Sequence, residues 1–197
     1  MPVNEKWLRT EEVEETLEPN LKICDPHHHL WQHPDSTYLT KELLKDTKTG
    51  HNVTSTVFVE CMSEYHRDST KALAPVGETE FIDRLATANT ESNTHTSIAK
   101  AIVGFADLLL GDSVEQVFDA HLEASPNRFK GIRHASGWDP SDQIRNSHTN
   151  PMRYLYLDKT FKKGFAKLLD YGLTFDAWLY HPQHEDLLKL AKSFPNQ

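Results

Sequence analysis

The feature that most limits how this chain can fold is a steady alternation of short β-rich runs with amphipathic helical stretches from residue 21 onward. The β-rich runs are 22–29, 53–61, 100–105, 129–134 and 173–181. Strands that alternate with helices in this way build parallel sheets, because each parallel crossover needs a helix to carry the chain back. The run 53–61, Val-Thr-Ser-Thr-Val-Phe-Val-Glu-Cys, is rich in β-branched residues and reaches a charge near its end. Such a run suits a buried strand whose C-terminal end serves a ligand.

The helical stretches carry boundary signals. Asp112 with Glu115 reads as a capping-box start, after which Val114, Val117, Phe118 and Leu122 share a face. Asp158 can cap the next helix, whose apolar stripe is Phe161, Phe165, Leu168 and Leu169, and Gly172 stands where such a helix ends. A last helix is predicted over 184–192, with Leu187, Leu188 and Ala191 facing inward. Two connections, 62–78 and 135–157, are too long for turns, and both follow strands. In β/α proteins that is the face where ligands bind. The second holds Trp138, Arg153, Tyr154 and Tyr156, which suit a polar ligand equally as they suit an ordinary surface excursion.

A chain of 197 residues with 38% hydrophobic and 10% aromatic content can bury one sizeable core. Its net charge of −8 argues against a nucleic-acid partner, since phosphate binding draws on Lys and Arg. Residues 1–20, rich in Glu and closed by Pro19, read as an acidic solvated extension, and 21–197 as the domain. No run approaches the roughly 18 apolar residues of a membrane span. The N-terminus lacks the apolar core of a signal peptide, and Cys24 and Cys61 are too sparse for a disulfide framework. The expectation is a cytoplasmic protein with a small-molecule substrate.

The chemistry is concentrated in Asp25-Pro26-His27-His28-His29-Leu30-Trp31. Alternate strand residues share a face, so Asp25, His27 and His29 point one way and His28 the other. Imidazoles two residues apart, separated by about 6.5 Å of strand, can converge on one ion or one substrate oxygen.

Asp25, His27, His29 and Trp31 match an Asp-x-His-x-His-x-x-Trp pattern that resembles the lactonase-like branch of the amidohydrolase superfamily. Three further stretches resemble the same branch: Thr56-Val57-Phe58-Val59-Glu60-Cys61, Gly131-Ile132-Arg133-His134, and Phe175-Asp176-Ala177-Trp178-Leu179-Tyr180-His181-Pro182-Gln183. The resemblance implies an α/β fold of the TIM-type (β/α)8 barrel kind and hydrolysis of a lactone, or a related small cyclic ester or amide, by water attack on a polarised carbonyl. His27, His29, Arg133 and His181 would be catalytic, with Glu60, His134 and Trp138 on the substrate. His27 and His29 would be the ligands of any divalent ion, zinc or manganese, although the branch also contains members that work without metal.

A full barrel takes about 250 residues and eight strands, whereas only about five β/α units are legible here. The resemblance places another His on the sixth strand and the water-activating Asp on the eighth, beyond Gln197. The expectation is therefore an incomplete barrel, impaired in catalysis, with open strand edges that favour self-association. Two other readings stay in view. One is a non-catalytic product that acts by association with another chain. The other is a TatD-like metal-dependent phosphodiesterase, which the acidic charge and the lack of a basic aromatic groove disfavour.

Overall fold

The computed structural model describes residues 15–197; the larger part of the expected N-terminal extension, 1–14, lies outside the described residues. Residues 15–20 form neither helix nor strand. The elements that follow are β1 (Lys22–His28), a short hairpin of β2 (Trp31–His33) and β3 (Ser36–Tyr38), α1 (Thr40–Asp46), β4 (Asn52–Val59), α2 (Val76–Glu91), β5 (Ser97–Gly104), α3 (Glu115–Ala124), β6 (Phe129–Arg133), α4 (Lys159–Asp170), β7 (Thr174–Asp176) and α5 (His184–Ser193). Short 3-10 segments occupy Leu108–Val114, Leu155–Leu157 and His181–Gln183.

Five strands form one curled parallel sheet in the order β1-β4-β5-β6-β7. The helical crossovers predicted from the alternation therefore build a half-barrel, and β1 and β7 are its two edges. Pro26 has no N–H to give and lies in an edge strand, where that omission is tolerated. The run 173–181 supplies strand only over Thr174–Asp176, because among the described residues β7 pairs with β6 alone, from Gly131↔Thr174 to Arg133↔Asp176. Past that point it has no ladder to join. The third strand starts earlier than expected, at Ser97. Ala99 takes left-handed backbone (φ 44°) and bulges β5 against β4. The N–H of Ala99 donates instead to Thr56 Oγ1, at 2.9 Å, so the bulge leaves no orphan there.

Two helix readings need correction. Asp112 is not a cap: it lies within the 3-10 segment, which Asp107 caps through the Leu109 N–H (3.0 Å), and Gly111 (φ 57°) breaks the path before α3 begins at Glu115. In α5 the inward face is Asp186, Leu187 and Leu190, while Leu188 is 53% exposed and Ala191 is also exposed. That helix is seated on the face continuing from the buried Gln183, one residue round from the expected stripe. Asp158, by contrast, accepts from the N–H groups of Thr160 (2.7 Å) and Phe161 (2.9 Å), and Gly172 ends α4 at φ 62°.

The core lies between the sheet and its helices. Phe58, Ile102, Phe129 and Ile132 from the strands meet Ile82 and Ala86 of α2, Val117 and Phe118 of α3, and Phe161, Phe165 and Leu168 of α4. Gly164 lets α4 press against the backbone before α3: a Cβ there would lie 2.4 Å from the Leu108 carbonyl oxygen. Gly164→Ala should therefore destabilise by about 2 kcal/mol, although alanine is the better helix former. Urea melts check this, and unchanged or raised stability would mean that the two backbones move apart freely.

Candidate functional site

At the C-terminal end of β1 the side chains of His27 and His29 stand edge to face, with ring centroids 4.9 Å apart and Nε2 atoms 3.3 Å apart. His28 turns to the other face and is buried, with its Nε2 2.8 Å from Thr56 Oγ1 and its ring against Phe58. Asp25 braces the turn of chain by accepting from the His27 backbone N–H at 3.1 Å. His29 Nδ1 is 2.7 Å from the Val59 carbonyl oxygen. A carbonyl only accepts, so Nδ1 carries the proton and Nε2 presents its lone pair toward His27. Burial, the largest influence, holds the His29 pKa below the ordinary imidazole value against the pull of Val59.

Arg133, the last residue of β6, places Nη1 3.4 Å from His27 Nε2. Its Nε donates to Glu60 Oε1 at 2.8 Å and its Nη2 to the Glu60 carbonyl oxygen. Glu60 is fully buried just past β4. Burial opposes its ionisation, but His148 and Arg133 outweigh burial and hold its carboxyl below the usual carboxylate range. His148 Nε2 is 3.2 Å from Glu60 Oε2, within ion-pair reach, yet among the described residues Oε2 has no hydrogen-bond donor. The sheet thus gathers His27, His29, Glu60 and Arg133 at one mouth, with His148 added from the connection after β6.

The other expected residues are placed differently. His134 is buried, accepts the Leu108 N–H on Nδ1 at 3.2 Å, and lines a cavity of about 550 Å³ with His148 and Tyr65. Trp138 faces a second cavity of about 550 Å³, where the Arg153 guanidinium lies 5.3 Å from its ring and 4.5 Å from that of Tyr154. His181 is exposed at the start of a 3-10 turn, and among the described residues no hydrogen bond or ion pair joins it to the cluster. Tyr156 is buried, and its hydroxyl is shared between the carbonyl oxygens of His134 and Trp178. An apolar groove along α4, β7 and α5 has none of these groups in its lining.

Sequence reasoning missed His148 and Glu78. The connection carrying His148 was singled out, but no periodicity marks one residue of an irregular loop. Glu78 lies in the first turn of α2, and its Oε1 accepts from the backbone N–H groups of Cys61 (3.0 Å) and Ser63 (2.7 Å). It therefore holds the loop after Glu60, in which Met62 (φ 65°) and Glu64 (φ 52°) are left-handed. Burial outweighs those two donors and, with the nearby Glu60 charge, pushes the Glu78 carboxyl up to about 8. An acid directly after Gly77, at a helix start following a long loop, was the available signal.

Among the described residues no group of three or more His, Cys, Asp or Glu is arranged to hold a metal ion. The two Nε2 atoms are nonetheless spaced like two ligands of one tetrahedral zinc, whose nitrogens at about 2.0–2.1 Å lie about 3.3–3.4 Å apart. No helix of the described residues is long and apolar enough to cross a membrane, and Cys24 and Cys61 are free.

No protein-family model matches the chain. It is 28% identical, over 90% of its own length, to a Sinorhizobium fredii chain described as uncharacterized protein y4mH, 60% of which it covers. Its fold matches an amidohydrolase from Burkholderia multivorans solved with bound zinc, at a TM-score of 0.56 and 21% identity, over 86% of this chain and 53% of that one. A second crystal form of an amidohydrolase from the same organism, solved with bound HEPES, gives 0.52 and 18% identity, over 87% and 53%. The chain has the fold of part of an amidohydrolase and spans about half the length of those solved chains.

Glu78 provides a test of how the mouth is held. Its folded pKa is raised, so its contribution to stability is full below the unfolded value of 4.5 and is lost as pH rises through about 8. Glu78→Gln keeps an acceptor for both N–H groups and should gain on the wild type between pH 5 and pH 8.5. Glu78→Ala leaves two buried donors unpaired and should cost about 3 kcal/mol at pH 5, and less at pH 8.5, where the wild type has itself lost part of the Glu78 contribution. Urea melts at the two pH values decide; a Gln variant that loses ground as pH rises would show that Glu78 is ionised in the fold.

Proposed function

We propose that this chain carries the binding and polarising half of a hydrolase site that acts on a lactone, or a related small cyclic ester or amide, by water attack on the carbonyl. The observation that carries this reading is the His27–His29 pair, with Nε2 atoms 3.3 Å apart and one ring fixed by the Val59 carbonyl oxygen. A carbonyl behind a ligating imidazole is the usual outer-shell device for aiming the metal-binding nitrogen. The shared fold of an amidohydrolase crystallised with zinc supports a divalent ion there. When bound, such an ion polarises a carbonyl and acidifies water.

The side chains divide the remaining work. Arg133 is locked to Glu60 on two nitrogens and leaves Nη1 facing the His pair, placed to hold a substrate oxygen and its developing charge. Glu60 anchors that guanidinium, and its depressed pKa makes it a poor proton acceptor. Glu78 holds its own proton near neutrality. The cluster binds and polarises, neither carboxyl group is suited to take the proton from water, and on this reading the base comes from outside the cluster. Strands added at the open edges of β1 and β7, from the same chain or a second copy, would be positioned to bring one to the mouth. Trp138 and His181 would contact ligand only as outer groups of that completed mouth.

A second reading, a binding protein without turnover, is favoured by the His pair having no third ligand grouped with it among the described residues. Two measurements separate them. Zinc titrated into the 197-residue protein should bind about one ion per chain, and His27→Ala or His29→Ala should weaken it at least tenfold. Sugar lactones with zinc or manganese should turn over slowly at best. Robust turnover by this protein, abolished in His27→Ala, would show that the base lies within it; zinc binding unaffected by either substitution would remove the His pair as the ion site.

A further inference from the structure

Three exposed hydrophobic side chains, each from the connection after a different strand, meet around one cavity. Met62 (50% exposed) follows β4, Leu109 (36%) follows β5, and Met152 (50%) lies in the long connection after β6. The cavity has a volume of about 550 Å³ and its lining includes Phe105 and Leu155 as well. That size falls within the usual range for pockets that enclose a whole small ligand. Large apolar groups held together in water by elements distant in sequence are stabilised when a ligand covers them.

The cavity also carries the polar side chains Tyr65, His134 and His148, and His148 connects it to the site already described. His148 lies 3.2 Å from Glu60, Glu60 holds Arg133, and Arg133 Nη1 lies 3.4 Å from His27. The Tyr65 hydroxyl is buried and has no hydrogen-bond partner among the described residues. Lys71 and Asp107 also belong to the lining, and both keep contact with water. They can stay solvated beside an apolar occupant. A polyhydroxylated ring would instead desolvate its hydroxyls against Phe105, Leu109 and Met152, which offer no partner.

We propose that this cavity is a specificity pocket and that the substrate is a cyclic ester or amide bearing an alkyl or aryl substituent. The ring lies at the His pair, and the substituent lies between Met62, Leu109 and Met152. The assignment rests on the hydrolase reading for the ring and on the cavity itself for the substituent.

The test is calorimetric titration of the whole chain, with zinc present, using three slowly hydrolysed lactams. They are δ-valerolactam, the same ring bearing a hexyl chain beside its nitrogen, and gluconolactam. The hexyl compound should bind at least about tenfold tighter than the bare ring, since burial of two methylenes already exceeds that ratio. Met152→Asp, at a half-exposed position that the fold tolerates, should erase the preference and leave the affinity for the bare ring unchanged. Equal affinity for the bare and hexyl rings, tighter binding of gluconolactam, or a hexyl preference that survives Met152→Asp overturns the pocket. If binding of the bare ring is lost in His27→Ala at the same time, the hydrolase reading still stands. A hexyl preference that is erased by Met152→Asp and indifferent to His27→Ala supports the pocket and overturns the placement of the ring. Failure of all three lactams to bind, with zinc still held, overturns both the pocket and the placement of the ring, and leaves the His pair as an ion site.

Discussion

The buried pair of Arg133 and Glu60 ties the mouth of this half-barrel together. It joins the end of β6 to the residue after β4, across β5, and the guanidinium reaches on to His27 at the end of β1. Two charges out of water are costly, and the geometry must offset that cost with good hydrogen bonds. Here the Arg133 fork meets both a carboxylate oxygen and a carbonyl of the same residue. The arrangement aligns the ends of neighbouring strands, and it presents Nη1 where an anion or carbonyl oxygen would lie beside the His pair.

Around that pair the chain accepts several local conflicts. Among the described residues Glu60 Oε2, Glu78 Oε2 and the Tyr65 hydroxyl are buried without a hydrogen-bond partner, and two residues of the loop after Glu60 have left-handed backbone without being glycine. A core built only for stability would remove such features. Their concentration at the C-terminal ends of parallel strands, where long connections leave room for a ligand, is what a binding mouth looks like in β/α folds. The bulge at Ala99 shows the opposite behaviour away from the mouth, since Thr56 there replaces the lost ladder bond.

The open sheet bears on function through the same elements. β1 holds the His pair and is also an edge, with much of its length exposed. At the other edge β7 runs for only three residues beside an apolar groove formed with α4 and α5. Edges of this kind accept further strands. Strands added at either edge would lengthen the mouth without disturbing the Arg133–Glu60 link at its centre.

The sequence by itself determined the parallel β/α plan, the Asp158 cap, the glycine stop at Gly172 and the facing of His27 and His29 opposite His28. Each follows from a period or a single local hydrogen bond, which neighbouring residues carry without help. It also marked Glu60 and Arg133 as charges at strand ends. Only the tertiary structure decided that these two are each other's partner, because they are 73 positions apart in sequence. The same holds for His148 and Glu78, which local patterning cannot distinguish from surface polar groups until β4, α2 and the connection after β6 are packed together. His181 and Trp138 show the converse. Their position near strand ends was legible, but β6 ends at Arg133 and β7 at Asp176, and among the described residues neither Trp138, in the connection after β6, nor His181, in the 3-10 turn after β7, joins the cluster. How long a strand lasts depends on its partner, and a sequence read one segment at a time does not contain the partner.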